Sequence, residues 1–387
     1  MDIKALDQEY IAHTYARFPV QLVSGKGAVL KDETGKEYID LAGGIAVNVF
    51  GAADTEWVAA VTEQLNKLQH TSNLYYTEPC ARLAQMLCER TGMKKVFFSN
   101  SGAEANECAI KAARRRAFLK YGDGHSTIIT LKNSFHGRTV TTLSATGQDC
   151  FHTEFGPFTE GFVYAEANNL ESVCQLAEQG NCAAVMLEVV QGEGGVVPLT
   201  RDFVEGCAEL AAAHDLLLIV DEVQTGNGRT GKLYGYMNYN VMPDIVTTAK
   251  GLGGGLPIGA TLLGERAQEV FTPGTHGSTF GGNPVCAAGA INILSRLDDA
   301  MLQGVKERSA YIVGELAGAK GVKSVTGMGL MLGIETERPA KEVILEALER
   351  GVLVISAKEK VRLLPPLNIE MEQLSKAIKI LKEVVAK

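Results

Sequence analysis

The residues Leu216-Leu217-Leu218-Ile219-Val220-Asp221 decide the fold, because five consecutive apolar residues run directly into a carboxylate. Continuous apolar runs are typical of strands in a parallel sheet whose two faces are both covered. Helical patterns, as at residues 104–119 and 202–214, separate six similar runs at residues 96–98, 127–131, 162–164, 183–190, 245–247 and 260–263. This alternation predicts an α/β fold whose large domain has a mostly parallel central sheet flanked by helices.

The regions outside this sheet predict a second, smaller domain. The chain has 387 residues, of which 46% are hydrophobic, enough for two or three domains of ~100–200 residues. Residues 29–41 predict a hairpin around the turn Asp32-Glu33-Thr34-Gly35. Towards the C-terminus, shorter strands and helices at residues 325–335, 340–350, 352–355, 361–364 and 370–385 indicate an α+β layer. We expect an N-terminal segment joining the small domain (residues 1–50), a large domain (51–285) and a C-terminal small domain (286–387).

Charge and composition exclude several classes of partner. The formal net charge of -8 and the low aromatic content argue against a nucleic-acid partner. The short basic run Arg114-Arg115-Arg116 is interpreted as the solvated face of a helix. No apolar run approaches the ~18 residues that span a bilayer, so no membrane partner is expected. The N-terminal Met1-Asp2-Ile3-Lys4 also lacks the regions of a signal peptide.

The eight cysteines occur without any C-x-x-C pair. This spacing fits neither a zinc site nor a secreted disulfide framework. Free cysteine behaves as a small hydrophobic residue in a protein core. We therefore expect a reducing, cytoplasmic location and no metal.

Lys250 follows the apolar run at residues 245–247 and precedes a cluster of glycines in Thr248-Ala249-Lys250-Gly251-Leu252-Gly253-Gly254-Gly255-Leu256. Burying an ammonium group is costly unless it is paired or its charge is removed. An imine formed with an aldehyde removes that charge. Taken alone, the stretch fits an exposed loop lysine better than a buried one that forms an imine. The residues at the ends of the other predicted strands are needed to choose between these interpretations.

Two further strand ends carry small or aromatic residues. Ser101-Gly102-Ala103 begins a helix, where free backbone N–H groups bind phosphate; an ordinary helix cap made by Ser101 with Glu104 is the alternative. Phe135 and Arg138 follow the run at residues 127–131. Phe135 would stack on a flat ring, and Arg138 would bind a carboxylate. Taken alone, the second pair fits a buried aromatic residue and a surface arginine better.

Asp221 ends a strand that is expected to be buried, so its carboxylate needs a partner. A protonated ring nitrogen would supply one, although a salt-bridged or capping aspartate is the alternative. Glu188 and Glu193 add carboxylates at another strand end. Together with Lys250, these residues suggest one ligand, a phosphorylated aromatic aldehyde with a basic ring nitrogen. That ligand is pyridoxal 5'-phosphate.

Over nearly the entire chain, these motifs resemble the class III, fold type I pyridoxal-phosphate aminotransferases. Within that class the sequence most resembles the N-acetylornithine aminotransferases, followed by ornithine aminotransferase. Two stretches depart from the family: Gly51-Ala52-Ala53-Asp54-Thr55 replaces Gly-His-x-His-Pro, and Val189 replaces the proline of Glu-Pro-x-Gln-Gly-Glu. The shared text lies at residues 15–20, 44–48, 134–139, 191–195, 221–226, 277–284 and at Lys250.

The resemblance implies the cofactor-binding roles. Lys250 would hold the aldehyde and then move a proton between the substrate carbon and the cofactor carbon, while Asp221 keeps the pyridine nitrogen protonated. Gln224 would contact the ring hydroxyl oxygen. Ser278 and Thr279 would reach the phosphate of the neighbouring subunit's cofactor, since the family builds shared active sites in a homodimer. The glycines after Lys250 are interpreted as space for the cofactor and that subunit.

The resemblance also implies the substrate contacts. Arg138 would bind a substrate carboxylate remote from the transferred amine, and Arg362 the α-carboxylate of glutamate or 2-oxoglutarate. Glu193 would pair with Arg362 when the other substrate is present. A structural ion pair is the alternative for Arg362.

The implied reaction transfers the δ-amine of N2-acetylornithine to 2-oxoglutarate. Ornithine, succinylornithine, 4-aminobutyrate and lysine-pathway substrates remain alternatives. An aminomutase of glutamate semialdehyde would not need Arg362 with Glu193. A non-catalytic protein that keeps only the fold is a third possibility, and it predicts a colourless protein that does not bind the cofactor.

Overall fold

The computed structural model describes residues 2–387. The strands are β1 (Leu22–Lys26), β2 (Val29–Asp32), β3 (Glu37–Asp40), β4 (Lys95–Ser99), β5 (Thr127–Leu131), β6 (Phe162–Ala165), β7 (Cys182–Leu187), β8 (Val190–Gln191), β9 (Val197–Pro198), β10 (Leu217–Asp221), β11 (Ile245–Thr248), β12 (Gly259–Leu263), β13 (Val322–Met328), β14 (Met331–Thr336), β15 (Val352–Leu353), β16 (Ile355–Ala357) and β17 (Lys360–Leu363). The helices are α1 (Ile3–Tyr10), α2 (Gly43–Ala46), α3 (Thr55–Leu65), α4 (Glu78–Thr91), α5 (Gly102–Tyr121), α6 (Val140–Ala145), α7 (Leu170–Ala177), α8 (Arg201–Ala213), α9 (Pro284–Arg296), α10 (Asp299–Leu316), α11 (Ala340–Glu349) and α12 (Met371–Val385). Short 3-10 helices lie at Asp149–Phe151, Gly235–Asn238 and Lys250–Leu252.

The predicted apolar runs form one seven-stranded sheet in the order β4-β12-β11-β10-β7-β5-β6. β12 runs antiparallel to its neighbours β4 and β11, and the other pairings in this sheet are parallel. The mostly parallel central sheet is therefore confirmed. The run at residues 183–190 does not form one strand, because β7 ends at Leu187 and β8 begins at Val190 in a separate two-stranded sheet.

Helices cover both faces of this sheet, which is why its strands are mostly apolar. Side chains alternate between the two faces of a strand. Leu217 and Ile219 of β10 pack into a cluster with the alanines of α5, whereas Leu218 and Val220 pack into the cluster that contains Phe203 of α8. One strand therefore contributes to two separate cores.

Two four-stranded sheets lie outside the central sheet, and the first of them joins the two ends of the chain. The first has the order β1-β2-β3-β15, and β3 pairs in parallel with β15. It contains the predicted hairpin, in which Asp32 accepts hydrogen bonds from the N–H groups of Thr34 and Lys36. The second is antiparallel, in the order β13-β14-β17-β16. The predicted strand at 352–355 is thus wrong as a single element, since β15 and β16 belong to different sheets.

The predicted helices at residues 104–119 and 202–214 are confirmed as α5 and α8, but the interpretation of the basic run is wrong. Arg114 donates to the carbonyl groups of Ser126 and Glu160, and Arg115 donates to that of Val270. Arg116 forms an ion pair with Asp215. The run therefore fastens α5 to distant loops.

The eight cysteines are all free. Within residues 2–387, no helix is long and apolar enough to cross a membrane.

The stretch at residues 51–55, which departs from the family text, forms an ion pair between two helices. Asp54 caps α3 by accepting a hydrogen bond from the N–H of Trp57 at 2.9 Å. Both of its oxygens also accept from Arg296 at the end of α9, at 2.5 and 3.0 Å. The guanidinium of Arg296 lies 3.9 Å from the ring centroid of Phe50. This departure therefore ties α3 to α9.

Candidate active site

Lys250 follows β11 directly and lies half-buried in a 3-10 turn with a left-handed backbone, φ 46°. Burial lowers the pKa of its ammonium group, and the carboxylates of Glu193 and Asp221 oppose that change. A lysine with a lowered pKa is more often a neutral amine, which is the nucleophilic form. The structure therefore contradicts the interpretation of Lys250 as an exposed loop lysine, because its amine is partly buried and interacts with the carboxylates of Glu193 and Asp221.

Asp221 ends β10 and is 4% exposed. Its Oδ2 accepts hydrogen bonds from Nδ2 of Asn106 at 2.7 Å and from Nδ1 of His136 at 2.8 Å. Its Oδ1 accepts from the N–H of Val223 at 3.0 Å. No lysine or arginine forms a salt bridge with this carboxylate within the described residues.

Sequence reasoning missed both side-chain partners of Asp221. His136 stands within the shared text at residues 134–139, and Asn106 closes the polar stretch after β4. Asn106 is itself oriented, because its Oδ1 accepts from the hydroxyl of Thr247 at 2.7 Å. With Nδ1 of His136 donating to a carboxylate, its Nε2 is buried without a partner. The signal that could have found Asn106 was a polar residue among the alanines of the buried face of α5, whereas His136 lies in the loop after β5.

Two buried glutamates surround Asp221. Glu188 accepts a hydrogen bond from the N–H of Phe135 at 3.0 Å, and burial together with Asp221 raises its pKa well above the usual range. Glu222 accepts from the N–H groups of Gly235 and Tyr236 at 2.8 and 2.6 Å. Burial raises the pKa of Glu222 to about 7. These carboxyl groups hold the loops around the site.

The N-terminus of α5 provides free backbone donors. The first four N–H groups of a helix have no partner within that helix. Ser101 satisfies one of them through its hydroxyl, which accepts from the N–H of Glu104 at 3.2 Å, and its carbonyl accepts from the N–H of Ala105. The N–H groups of Gly102 and Ala103 remain for an anion. The helix cap and a phosphate site use different N–H groups, so both can be present at the start of α5.

Gly102 also has to be a glycine for packing reasons. A Cβ atom at this position would lie 2.6 Å from Cγ1 of Val223, two residues beyond Asp221. The helix start therefore lies directly against the turn that follows β10. The anion donors and the buried carboxylate belong to one site.

Arg362 lies in β17 and is 3% exposed. Its Nη1 donates to Oε1 of Glu193 at 2.7 Å and to Oε1 of Gln224 at 3.1 Å. Its Nε is buried without a partner. Burial raises the pKa of Glu193, but Arg362, Lys250 and Gln224 together hold that pKa below its usual range. The structure therefore forms the predicted Glu193–Arg362 pair, with Gln224 joined to it.

Phe135 and Arg138 lie together near the site. The rings of Phe135 and Phe151 meet edge to face with centroids 5.9 Å apart. The exposed guanidinium of Arg138 lies 4.2 Å from the Phe151 centroid and 5.7 Å from the Phe135 centroid. Within the described residues, no carboxylate forms a salt bridge with Arg138. Its charge therefore stays available to a ligand.

Ser278 and Thr279 do not join the group around Lys250 in this chain. The hydroxyl of Ser278 accepts from Nδ2 of Asn100 at 3.3 Å and from the N–H of Gly281 at 3.0 Å. Asn73 holds the same loop through the carbonyl groups of Ser278 and Gly281. Thr279 is exposed.

The glycines after Lys250 make room for this chain's own atoms. A Cβ atom at Gly253 would lie 2.0 Å from the carbonyl oxygen of Leu256. One at Gly254 would lie 2.9 Å from Ile293, and that residue also has a left-handed backbone with φ 60°. Internal packing therefore already requires these two glycines, and their interpretation as space for the cofactor and the neighbouring subunit stays a prediction.

The groups that the structure brings together fit pyridoxal phosphate. The free N–H groups at the start of α5 suit a phosphate, and Lys250 suits an aldehyde. Asp221 accepts only from neutral donors and from His136, so a protonated ring nitrogen would complete its surroundings. Each part of the cofactor thus has a matching group in the site.

Comparisons with known proteins agree with this fit. The family model described as Aminotransferase class-III matches residues 10–385. The acetylornithine aminotransferase of Haemophilus ducreyi is 49% identical over 386 residues, which is 99% of this chain and 98% of that protein. The acetylornithine aminotransferase of Aquifex aeolicus is 46% identical over 97% of this chain and its own full length.

Solved structures show the same fold. The ornithine aminotransferase of Toxoplasma gondii has a TM-score of 0.95 at 31% identity, covering 99% of this chain and 94% of that one. A second structure of that enzyme has pyridoxal phosphate at partial occupancy in its active site. The N-acetylornithine aminotransferase of Stenotrophomonas maltophilia has a TM-score of 0.86 at 36% identity, covering 99% and 98% of the two chains. The chain belongs to the class III aminotransferases, which have the fold type I architecture and depend on pyridoxal phosphate.

Proposed function

We propose that the protein transfers the δ-amino group of N2-acetylornithine to 2-oxoglutarate, giving N-acetylglutamate 5-semialdehyde and glutamate. This reaction belongs to arginine biosynthesis. Relatives that are 44–49% identical over nearly the full chain carry the name acetylornithine aminotransferase. The observation that carries the proposal is the buried Arg362 paired with Glu193 beside Lys250, because an arginine there serves a substrate with an α-carboxylate.

The cofactor would be held by side chains and by a helix terminus. Asp221 would face the ring nitrogen, Phe135 the ring and Gln224 the ring hydroxyl oxygen. The remaining residues proposed to hold the cofactor are Ser101, Gly102, Ala103 and Lys250, with Ser278 and Thr279 of a second subunit. When bound, pyridoxal phosphate withdraws electrons from the substrate carbon that loses its proton.

The protein's own groups would move the proton and hold its charge. The amine of Lys250 would take the proton from the substrate carbon and then give it to the cofactor carbon. This acid–base step is worth ~10²–10⁴-fold in rate. Its lowered pKa makes the neutral amine available for this task. Asn106 and His136 donate to the carboxylate of Asp221 and keep it in place, and no lysine or arginine within the described residues forms a salt bridge with it.

The two substrates would use different arginines. Arg138 would bind the carboxylate of acetylornithine that is remote from the transferred amine. Glu193 would cover Arg362 during that half-reaction, so the buried guanidinium is never left unpaired. In the other half-reaction Glu193 would withdraw, and the α-carboxylate of 2-oxoglutarate would take its place on Arg362. Glu193 is 31% exposed, which leaves it room to move.

We also propose a homodimer with shared sites. The loop that carries Ser278 and Thr279 ends next to exposed apolar side chains, among them Tyr75, Tyr76 and Phe280, at 71, 105 and 61% exposure. Contiguous exposed aromatic residues favour burial by another protein surface. A second copy placed here would bring Thr279 towards the partner's phosphate site.

Two expectations on organisation remain proposals. Residues 1–50 and 286–387 would form the small domain and residues 51–285 the large cofactor-binding domain. The parallel pairing of β3 with β15 supports the first grouping. α9 begins at the boundary and packs against α3 and α4, so it would tie the domains together. A cytoplasmic location is supported by the eight free cysteines, which are typical of reducing compartments.

The test is a spectrophotometric screen of amine half-reactions with the cofactor-loaded protein. Acetylornithine, ornithine, succinylornithine and 4-aminobutyrate are compared, and acetylornithine is expected to react with the highest specificity constant. A higher value for any other amine would replace acetylornithine as the substrate. Conversion of glutamate semialdehyde without 2-oxoglutarate would indicate an aminomutase, and a colourless protein with no cofactor binding would indicate a non-catalytic role.

A further inference from the structure

Arg229 is a buried cation that is not among the residues proposed to bind the cofactor or the substrates. It is 2% exposed and lies in the turn that follows Asp221 and Gln224. Burial lowers the pKa of its guanidinium to about 9, and the nearby carboxylate of Asp40 opposes that change. Asp40 is itself occupied, because its Oδ1 accepts from the N–H groups of Ala42 and Gly43. Burying a guanidinium lowers the stability of the folded protein unless hydrogen bonds compensate for the lost hydration.

The guanidinium of Arg229 contacts the main chain of the C-terminal region at two places. Its Nη1 donates to the carbonyl of Pro365 at 2.5 Å and to the carbonyl of Leu330 at 3.1 Å. The carbonyl of Arg229 accepts from the N–H of Leu330 at 2.9 Å. A Cβ atom at Gly329 would lie 2.4 Å from that same carbonyl oxygen, so the β13–β14 turn is packed directly on Arg229.

These contacts bear on Arg362 because Pro365 lies three residues beyond it. Within β17, Arg362 is opposite Gly333 of β14 and Ile355 of β16. After β17 ends at Leu363, the chain is held by the carbonyl of Leu41, which accepts from the N–H of Leu364 at 2.7 Å, by Arg229, and by the carbonyl of Val49, which accepts from the N–H of Leu367 at 2.7 Å. Arg229 therefore spans from the turn that carries Gln224 to the segment that carries Arg362.

We propose that Arg229 is a positioning residue for the dicarboxylate substrate, because it sets the distance between the Asp221–Gln224 turn and the guanidinium of Arg362. This inference rests on the proposed function, in which Arg362 binds the α-carboxylate of 2-oxoglutarate. Arg229 does not touch that substrate. Its effect passes through the carbonyl of Pro365 and the short strand β17. A displacement of ~1 Å at a binding group changes rates by up to ~10²-fold.

The experiment compares Arg229→Met and Arg229→Lys with the wild type, all loaded with cofactor. Methionine removes the donors, whereas lysine keeps the charge but has a shorter side chain without the planar guanidinium. Each half-reaction is measured by rapid mixing. The concentration of 2-oxoglutarate at half-maximal rate is expected to rise by about tenfold or more, with the limiting rate retained. The half-reaction with acetylornithine is expected to change by less than about threefold.

Arg308→Met is the matched control. Arg308 also fastens the C-terminal region, through a bond of 2.7 Å from its Nε to the carbonyl of Ile369, but it lies beyond the segment next to Arg362. This variant should leave the 2-oxoglutarate dependence unchanged. A tenfold rise in this variant as well, or equal changes in both half-reactions of the Arg229 variants, would overturn the proposal and indicate a general structural role.

A double variant separates the proposal from the proposed function. Arg229→Lys is combined with Arg362→Ala, and the 2-oxoglutarate dependence should then equal that of Arg362→Ala alone. An additive rise would overturn the positioning role. If Arg229→Met does not fold, the lysine variant decides. If the wild type does not use 2-oxoglutarate, the proposed function fails, and the same comparison is made with the oxo-dicarboxylate that it does use.

Discussion

Nδ1 of His136 lies 2.8 Å from Oδ2 of Asp221, and both side chains are buried at the carboxyl end of β10. The imidazole holds the carboxylate from one side while Asn106 holds it from another. This pair of hydrogen bonds orients the carboxylate of Asp221. A protonated ring nitrogen that binds there would add a positive charge beside this carboxylate.

His136→Phe should weaken cofactor binding by about tenfold, because a hydrogen bond to a charged group contributes ~1.5–3 kcal/mol. The phenylalanine fills the space of the imidazole but donates nothing to Asp221. Binding is measured by titrating cofactor-free protein with pyridoxal phosphate and following the visible absorbance. His152→Phe is the control, since His152 bonds the carbonyl of Leu143 away from the site. Unchanged affinity in His136→Phe would argue against an orienting role.

Lys250→Ala should abolish the visible absorbance of the lysine-bound cofactor and lower transamination by ~10²–10⁴-fold or more. The free N–H groups at the start of α5 are unchanged in this variant, so much of the phosphate-anchored binding should remain. Absorbance spectra and steady-state rates are the measurements. Lys232→Ala, which changes an exposed lysine, should behave as the wild type. Full activity of Lys250→Ala would contradict the assignment of this residue.

Arg362→Ala should impair the half-reaction with 2-oxoglutarate more than the half-reaction with acetylornithine. Removing the guanidinium takes away the α-carboxylate contact, worth about 2–5 kcal/mol for a buried charge pair. Glu193→Gln should show the opposite bias, because Arg362 then lacks its partner only when acetylornithine is bound. Half-reaction kinetics test both variants. Equal losses in the two half-reactions would refute this division of labour.

Because of Glu222, the free energy of unfolding should fall as the pH rises from 4.5 to about 7. Its pKa is about 7 in the folded protein and 4.5 ordinarily. Between these values the unfolded chain releases a proton that the folded chain retains, so the free energy of unfolding falls with rising pH and levels off above 7. The loss is on the order of 3 kcal/mol.

Glu222→Gln should remove this part of the slope when chemical unfolding is measured across that range. Glu209→Gln, on the exposed face of α8, should leave the slope as in the wild type. If the slopes of Glu222→Gln and the wild type agree, another group is responsible for the pH dependence.

Asp54→Ala should lower the free energy of unfolding by about 1–2 kcal/mol, because it removes both the cap of α3 and the pair with Arg296. Asp54→Asn should cost less, since the amide oxygen still accepts from the N–H of Trp57. Denaturant unfolding of the two variants provides the comparison. Equal stability of Asp54→Ala and the wild type would show that this loop contributes nothing to the helix pair.

The apolar runs predicted the central sheet well because burial on both faces leaves a continuous signal. Leu217 and Ile219 face one core and Leu218 and Val220 the other, so the chain offers no polar alternation that could mislead. The interpretation of the basic run at residues 114–116 as a solvated helix face was wrong, because nothing near it in the sequence indicates its partners. Its acceptors, such as the carbonyl of Val270, come from loops that are distant along the chain.

The sequence by itself determined the positions of the chemical groups: Lys250 and Asp221 follow apolar runs, and Ser101-Gly102-Ala103 begins a helix. Only the tertiary structure decided which groups meet. His136 and Asn106 reach Asp221 across 85 and 115 residues, and Arg362 reaches Glu193 across 169. A pattern along the chain reports local burial, whereas these contacts depend on how the strands are ordered in the sheets. Hydrogen bonds between side chains act only within about 3 Å, so the sequence does not record them.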